Sequence, residues 1–475
     1  MIETAQQVAS EVNVRAPGPH KRLIFCFDGT WNKLDAATPT NVVITAESVL
    51  PMADDGIAQA IFYDQGVGTN RFDRLRGGVF GMGIVDKLGD AYRFLAFNYT
   101  PGDEIFVFGF SRGAFTARSF VGMLRNCGIV SRSKAGRIGD AIEHYRSRNP
   151  NLGPDTLESR TFRAEVSGSV VVNADEDEWR VGNVPGYVRG SVPVLKVRYL
   201  GVWDTVGALG VPSRYRFLGF LNRKFQFHDT NLSSMVEMGR HAIAIDEQRK
   251  DFVPTRWTNI DALNVQAGSD IDDSLAPYQE RWFPGVHCGV GGGGDFRGLS
   301  DQSLVWIWEG AQRAGLELDA SPGSRIYELA PNFCDPISPF DFSKLKLLVR
   351  LKDRLMGLAW SKGDRRGPTV VCDVSTSAHR RWHAAPATLP GNRPYRPKTL
   401  ADVAESLDSA VDDVTFPAPG SFKILRVRAG DTLGTIASSQ LGDSKRWKEV
   451  FEMNRDCIDD ANHIYPGQPL RVPIK

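Results

Sequence analysis

The sequence contains few cysteines, and they are not arranged in pairs. No C-x-x-C spacing occurs. The six cysteines are Cys26, Cys127, Cys288, Cys334, Cys372 and Cys457. Such scattered cysteines argue against a disulfide framework and against a zinc site. We therefore expect a chain that is made in a reducing cytoplasm and that needs no metal or other cofactor.

The chain also lacks an excess of one charge and long apolar runs. Lysine and arginine total 57 against 56 for aspartate and glutamate, so no global field favours a nucleic-acid partner. Residues 1–22 hold no apolar run of signal-peptide length. Nowhere do about 18 apolar residues follow one another, as a membrane-spanning helix requires. If the protein acts on a target cell envelope, we expect a specialised secretion system to export it.

The apolar residues that are present follow two alternating patterns. Continuous apolar runs are typical of buried parallel strands, whereas apolar residues at helical spacing indicate helices packed on a sheet. The alternation predicts an α/β fold, a mostly parallel sheet with helices on both faces. The predicted strands are 22–32, 60–66, 103–113, 195–207 and 281–287, and the predicted helices are 86–99, 113–128, 235–247 and 299–316, the last with Ser300 as N-cap.

The 475 residues predict two or three domains. A polar leader covers 1–19, and a large α/β domain covers 20–400 with a charged insertion at about 150–192. Residues 401–421 form a helix and a Pro-Gly linker, and residues 422–475 form a separate tail. We expect this tail to fold alone and to contact the large domain little.

The strongest catalytic pattern is G-x-S-x-G at 109–113. A predicted strand precedes it and a predicted helix follows it, as in the strained turn that carries a nucleophilic serine. The flanking glycines would avoid clashes in that turn, and the helix N-terminus would stabilise negative charge. Ser111 is therefore the candidate nucleophile. The alternative is a glycine-rich turn with an idle serine.

A nucleophilic serine needs a base and an orienting carboxylate, which follow it in the order Asp/Glu, then His, in hydrolases of this shape. Asp204 ends the next suitable strand and His287 ends the one at 281–287. The alternatives for the carboxylate are Asp246 and Asp64. The rival histidines are His228, in a predicted loop next to Asp229, and His241, in the predicted helix 235–247.

The oxyanion of such a reaction needs backbone N–H donors. One would come from Arg112, which follows the nucleophile, and the other from the loop that ends the first strand, at Gly29 and Thr30. Gly29 lets the backbone approach a substrate oxygen closely. The alternative is that the Asp-Gly-Thr sequence merely forms a turn.

The large domain resembles the catalytic domain of bacterial type VI secretion phospholipase effectors, an α/β-hydrolase group. The shared segments are FCFDGTWN (25–32), GFSRGAFTARSFVGML (109–124), GVWDTVG (201–207), FHDTNLS (227–233), HAIAIDEQRKDFVP (241–254), WFPGVHCGVGGG (282–293) and GLSDQSLVWIW (298–308). The resemblance implies lipid ester hydrolysis by Ser111, Asp204 and His287. The chain departs from the family at Cys288-Gly289, where Ser-Asp is usual.

The tail resembles a LysM module, with a β–α–α–β order and helices expected at 432–441 and 444–453. In that family two loops form a shallow groove for N-acetylglucosamine polymers. The resemblance implies that the groove residues here are Gly430, Asp431, Thr432 and Leu433 in one loop and Ile464, Tyr465, Pro466 and Gly467 in the other. The alternative is a LysM-like adaptor that binds no sugar.

These observations predict a serine esterase, most specifically a phospholipase, joined to a module that binds peptidoglycan. The expected partners are a phospholipid or other lipid ester, the glycan, a secretion apparatus and an immunity protein. The alternative function is a catalytically silent hydrolase fold that serves as a scaffold of the envelope or of the secretion apparatus. An ordered Ser, Asp and His argue for the enzyme, because a scaffold needs none of them.

Overall fold

The structure is a computed structural model that describes residues 20–29, 37–66, 80–147, 149–207, 231–250, 252–270, 273–338, 363–410, 421–455 and 457–474. Two of the sequence-based candidates, Thr30 and His228, lie outside the described residues. In the described part of the chain, no helix combines the length and the apolar character that crossing a membrane demands.

A parallel sheet and its covering helices form the large domain. The strands are β1 (Lys21–Phe27), β2 (Ala58–Asp64), β3 (Glu104–Phe110), β4 (Tyr199–Trp203), β5 (Gly239–Ala244) and β6 (Tyr278–Phe283). The α-helices are α1 (Asn41–Ser48), α2 (Phe80–Asn98), α3 (Arg112–Cys127), α4 (Ile138–Arg146), α5 (Leu157–Val166), α6 (Ala174–Asn183), α7 (Ile260–Gln266), α8 (His287–Gly291), α9 (Gly298–Arg313), α10 (Arg325–Glu328), α11 (Thr376–His383) and α12 (Ala404–Ser409).

Short 3₁₀ segments of three or six residues lie between some of these elements. They are Arg132–Arg137, Pro150–Leu152, Val371–Asp373, Pro386–Thr388 and Lys398–Val403. The helices of the tail and its two strands follow these elements and are described below.

The sheet has the order β2-β1-β3-β4-β5-β6, and every neighbouring pair is parallel. The chain runs from β1 to one edge and then returns to the other side of β1 to continue through β3. Strand order therefore reverses beside β1, and open α/β sheets bind ligands at the carboxyl ends of strands next to such a point. The predicted α/β class is confirmed.

Helices cover both faces of the sheet because alternate strand residues point in opposite directions. Phe25 and Val107 belong to one buried cluster with residues of α2 and α3. Cys26 and Phe108 belong to a second cluster with residues of α1 and α9. Burial on both faces explains why the strands are continuously apolar rather than alternating.

Three local predictions are wrong. The strand expected at 281–287 ends at Phe283, and His287 begins α8 instead of ending that strand. The segment 235–247 is not a helix but contains β5, a fully buried interior strand of the sheet. Its apolar residues satisfy helical and strand spacing equally, and the sheet decides between them. Ser300 is not the N-cap of α9, which begins at Gly298 after Arg297. Ser300 lies inside the first turn, and its hydroxyl donates to the Arg297 carbonyl at 3.0 Å.

The segment expected to be a charged insertion contains helices α5 and α6, which bury charged side chains. Glu176 accepts hydrogen bonds from Arg163 at 2.7 Å and from Arg180 at 2.6 Å. All three side chains are almost completely buried. An arginine–glutamate–arginine cluster thus occupies positions that apolar residues would mark in most helices, so the sequence shows no clear helical period there.

The tail has its own small core. Strands β7 (Phe422–Arg426) and β8 (Pro469–Pro473) pair antiparallel, with α13 (Leu433–Leu441) and α14 (Trp447–Met453) between them and a 3₁₀ turn at Ser444–Arg446. Its core residues include Leu433, Ile436, Val450 and Leu470. The predicted β–α–α–β order is confirmed.

The expectation that the tail contacts the large domain little is wrong. Arg426 of β7 donates to the backbone carbonyls of Ile326, Tyr327 and Leu329, all at 2.6 to 2.7 Å. Arg471 of β8 donates to the carbonyl of Pro331 at 2.9 Å. These bonds lie at or next to α10, so the tail is docked on the large domain rather than suspended from a linker.

Candidate active site

The turn after β3 has the geometry that the G-x-S-x-G pattern predicts. Ser111 has φ 59° and ψ −121°, a conformation rare for a residue with a side chain, and α3 begins at the next residue. A Cβ added at Gly109 would lie 2.6 Å from the carbonyl oxygen of Gly113. A Cβ added at Gly113 would lie 2.1 Å from the carbonyl oxygen of Phe27 on β1. Both flanking positions therefore require glycine.

Asp204 and His287 are directly hydrogen-bonded. Asp204 follows β4 and His287 is the first residue of α8, and the His287 Nδ1 lies 2.5 Å from Asp204 Oδ2. The Ser111 backbone N–H donates to the carbonyl of Trp203, the residue before Asp204, at 3.0 Å. The β3 and β4 ends are thus tied together, and Ser111 and Asp204 lie at the same edge of the sheet.

The Asp204 carboxylate is fully buried and held by several donors. Arg365 donates to its Oδ1 at 2.6 Å and to its Oδ2 at 2.9 Å, and the Ala244 N–H donates to Oδ1 at 3.0 Å. Burial acts to raise the pKa of Asp204, but Arg365 and the bond from His287 outweigh it and lower that pKa. Asp204 therefore remains ionised at neutral pH. Its φ of 37° shows that the backbone also holds it in a rare conformation.

His287 lies between two aromatic rings. The ring of Phe110 lies 4.6 Å from the imidazole, centroid to centroid, and the ring of Phe252 lies 4.9 Å away, edge-on. Its backbone N–H donates to Glu247 at 3.2 Å. Burial lowers the pKa of His287 despite the opposing effect of Asp204. The imidazole is therefore neutral at pH 7, with Nδ1–H directed to Asp204 and Nε2 available as a base.

The rival titratable residues have other positions. His241 lies in β5, not in a helix, and is fully buried. Its Nδ1 lies 2.8 Å from Glu280, and its Nε2 accepts the backbone N–H of Thr205 at 3.1 Å. His241 thus supports the loop that carries Asp204 and is fully used in doing so.

The rival carboxylates are bound elsewhere as well. Asp246 accepts from the Gly285 N–H and from the Tyr395 hydroxyl, both at 2.8 Å. Asp64 ends the neighbouring strand β2 and forms an ion pair with Lys87. Neither is hydrogen-bonded to His287 among the described contacts, whereas Asp204 is.

Two of the three candidate oxyanion donors can be located. Arg112 is the first residue of α3, so its backbone N–H lies at the positive end of the helix dipole. The N–H of Gly29 donates to the carboxylate of its own neighbour Asp28 at 2.6 Å. Asp28 also accepts from the hydroxyls of Thr40 and Tyr63 at 2.9 Å. The Gly29 amide is therefore already used in this structure.

Sequence reasoning missed Arg365 and Glu247. Arg365 is 161 residues from the carboxylate that it holds, and no motif marks it. Glu247 accepts the His287 N–H and pairs with Arg249 at 2.8 Å. Both act on the proposed catalytic residues through tertiary contacts, which leave no local pattern. Within the described ranges, no group of three or more His, Cys, Asp or Glu side chains could hold a metal ion.

The predicted glycan groove of the tail is only partly open. Gly430 and Thr432 are exposed, and Asp431 accepts a local hydrogen bond from the Arg428 N–H at 2.8 Å. Leu433 and Ile464 pack in or against the core of the tail. The first loop therefore presents its backbone and two polar side chains outward.

The second loop of the groove faces the large domain. A Cβ added at Gly467 would lie 2.3 Å from the side chain of Ile326. Burial and the Glu309 carboxylate of α9 raise the pKa of Tyr465 to about 12. Pro466 is exposed, although it borders a small cavity beside α9 and α10. Three of the predicted groove residues, Tyr465, Pro466 and Gly467, thus adjoin the large domain.

Comparison with known families identifies both parts of the chain. The family described as "T6SS, Phospholipase effector Tle1-like, catalytic domain" matches residues 21–310, more than half of the chain. The LysM domain family matches residues 425–473.

Individual relatives are distant and partial. An uncharacterized protein of Saccharomyces cerevisiae is 26% identical over 247 residues, which cover 49% of this chain and 32% of that protein. The potassium binding protein Kbp of Escherichia coli is 37% identical over 68 residues, 14% of this chain and 44% of its own length. The chain thus spans less than half of the length of either curated relative.

Solved structures show similarity at low identity. A Tle1 effector solved bound to the VgrG spike of the type VI secretion system matches with a TM-score of 0.36 and 15% identity, over 76% of this chain and 86% of that one. An uncharacterized protein from Pseudomonas aeruginosa matches with a TM-score of 0.34 and 15% identity, over 94% of this chain and 65% of that one.

Proposed function

Because the chain belongs to the Tle1-like family of type VI secretion phospholipase effectors and carries a LysM domain, we propose that it is a serine hydrolase that cleaves phospholipid carboxylic esters. The observation that carries this proposal is the placement of Ser111 in a strained turn at the sheet edge that also carries the hydrogen-bonded pair of Asp204 and His287. A buried carboxylate, a neutral histidine and a strained serine have little purpose in a scaffold.

The mechanism assigns one role to each residue. His287 Nε2 takes the hydroxyl proton of Ser111 as its oxygen attacks the ester carbonyl, and His287 then protonates the leaving alcohol. Water next attacks the acyl-enzyme and gives a proton to His287, which passes it to the departing Ser111 oxygen as the carboxylic acid is released. Asp204 accepts the Nδ1–H throughout and stabilises the imidazolium. The N–H of Arg112 is the donor proposed for the oxyanion.

The sharpest test is active-site labelling with a fluorophosphonate, which reacts with activated serines. We expect stoichiometric labelling of the wild-type protein and none of Ser111→Ala, together with a loss of ester hydrolysis by several orders of magnitude. The substitution removes one oxygen and should leave thermal unfolding unchanged. A wild-type protein without a reactive serine would instead favour the scaffold.

We further propose that the LysM domain binds an N-acetylglucosamine polymer such as peptidoglycan. We also propose that a secretion apparatus delivers the protein to a target cell envelope. An immunity protein would inhibit it there. The exposed Gly430 and Thr432 support the glycan proposal. Co-sedimentation with purified peptidoglycan tests it, with Thr432→Ala as the groove variant and the exposed Lys445→Ala as the control. Failure of the wild type to pellet would favour the adaptor, and equal pelleting of the wild type and both variants would place glycan binding outside this groove.

A further inference from the structure

A cationic cavity adjoins the proposed catalytic pair. It has a volume of about 600 Å³, and its lining comes from residues 249, 250, 252–254 and 256 after β5 and from residues 363–367 and 369. Among the lining residues that the structure describes, five side chains are cationic and Asp364 is the only carboxylate. The cationic residues are Arg249, Lys250, Arg256, Arg365 and Arg366. A protein with almost no net charge has thus concentrated positive charge at one place beside its active site.

Three of these cations are already neutralised. Arg365 pairs with Asp204, Arg249 pairs with Glu247, and Arg256 pairs with Glu280 and with Asp373. These pairs shape the wall of the cavity, but they leave little charge for a ligand.

The other two cations differ. Lys250 and Arg366 are exposed, and neither forms an ion pair with any described carboxylate. The Lys250 stem lies over Gly363, where an added Cβ would come within 2.6 Å of its Cε. The nearby Asp364 is associated with Lys398 at 3.7 Å. The cavity therefore presents two cations from two different segments.

One aromatic ring connects this cavity to the candidate base. Phe252 lines the cavity and contacts the His287 ring edge-on at 4.9 Å. The guanidinium of Arg249 lies 3.4 Å from the centroid of the same ring. A ligand in the cavity is thus separated from His287 by the thickness of a single side chain.

We propose that this cavity binds the phosphate of a glycerophospholipid headgroup through Lys250 and Arg366 while the ester lies at Ser111. The proposal rests on the ester hydrolase function proposed above. In a glycerophospholipid the phosphate is only a few bonds from the acyl esters, so a phosphate site must adjoin the catalytic residues. The guanidinium of Arg366 can bind a phosphate bidentately, and the Lys250 ammonium adds a point charge.

The first arm of the test measures hydrolysis of phosphatidylglycerol vesicles and of a soluble uncharged ester, and compares their kcat/KM values. In the double variant Lys250→Gln/Arg366→Gln we expect the preference for phosphatidylglycerol to fall about tenfold, through KM. The preference of the wild type should also fall with added salt, which screens exposed charges, and that salt dependence should weaken in the variant. The control Lys423→Gln/Arg393→Gln removes two exposed cations outside the cavity and should keep the wild-type ratio.

The second arm measures binding without hydrolysis. In the Ser111→Ala background, glycerophosphoglycerol should bind about tenfold more weakly when Lys250 and Arg366 are replaced. Inorganic phosphate should bind more weakly than glycerophosphoglycerol in the parent protein, since it lacks the glycerol groups. Equal binding of the two ligands would mean a site for free phosphate and would overturn the headgroup assignment.

The two arms separate this proposal from the one on which it rests. An unchanged preference and unchanged glycerophosphoglycerol binding in the double variant would overturn the phosphate site even if Ser111 is the nucleophile. Loss of both esters in parallel, with a lower melting temperature, would also overturn it, because the two cations would then be structural. If the wild type hydrolyses no ester at all, the proposed function fails, and the binding arm still reports on the site.

Discussion

Replacing Arg365 with methionine should disable the proposed catalytic pair without touching the serine. The substitution keeps much of the side-chain volume but removes both hydrogen bonds to Asp204, at 2.6 and 2.9 Å, and those to the carbonyls of Ala244 and Phe252. Asp204 is completely buried, so its charge would lose its only bidentate partner. Breaking a buried ion pair from one side costs about 3–5 kcal/mol of unfolding free energy.

The same substitution should change the pH dependence of activity. In the wild type, Asp204 has a pKa below its usual range, so the stability that it contributes is present above about pH 4 and is lost only as pH falls through the lowered value. Without Arg365, burial acts unopposed by that charge and the pKa of Asp204 rises. Acidification should therefore reduce both stability and kcat/KM at a higher pH than in the wild type.

The assays are chemical unfolding and a kcat/KM profile against a soluble ester between about pH 4 and pH 8. Arg365→Lys, which keeps the charge but not the fork, should fall between the wild type and Arg365→Met. Arg393→Met is the matched control, because Arg393 is exposed. If the Arg365→Met protein folds and its kcat/KM falls at the same acidic pH as that of the wild type, Arg365 does not keep Asp204 ionised. If stability falls but the acidic side of the kcat/KM profile does not shift, Arg365 contributes only packing.

Three further predictions concern single side chains. His287→Ala should lower ester hydrolysis as much as Ser111→Ala does, whereas His228→Ala should have a much smaller effect. Steady-state kinetics that rank the two histidine variants in reverse would show that His287 is not the base. Gly113→Ala should lower the unfolding free energy by about 1–3 kcal/mol or more, because the added Cβ would lie 2.1 Å from a carbonyl oxygen. Unfolding in denaturant measures this, and a variant as stable as the wild type would contradict the tight turn. Arg426→Ala should lower the unfolding free energy by about 1.5–3 kcal/mol, because its hydrogen bonds to α10 are lost. An unchanged midpoint of denaturant unfolding would show that these bonds do not stabilise the protein.

The residues proposed as catalytic could be singled out in the sequence because each lies beside a local pattern. The serine turn needs glycines on both sides, and those glycines are visible in the sequence. Asp204 and His287 follow buried strands, and the carboxyl ends of parallel strands meet at one edge of the sheet. The order of the elements therefore predicts that Ser111, Asp204 and His287 lie at the same edge.

The sequence-based predictions failed where tertiary packing, and not the local sequence pattern, decides the structure. Residues 235–247 fit a helix by spacing, yet β5 within them is hydrogen-bonded on both sides by β4 and β6. The sequence left His241 as a rival base because its partners, Glu280 and the Thr205 amide, lie on other elements. Arg365 was invisible for the same reason. A buried polar side chain is explained by its partner, and a distant partner leaves no trace in the local sequence.

The tail shows the same limitation on a larger scale. A Pro-Gly linker suggests a free module, but Arg426 and Arg471 tie it to the large domain through backbone carbonyls, which any sequence provides. Truncating the chain after Pro419 would remove these contacts together with the tail. Loss of the tail would expose the α10 carbonyls, so reduced esterase activity would reflect lower stability unless the melting temperature is unchanged. The docking also separates the two groove loops: Gly467 adjoins Ile326, whereas Thr432 is exposed. A glycan that needs both loops must therefore bind with the second one held against the catalytic domain.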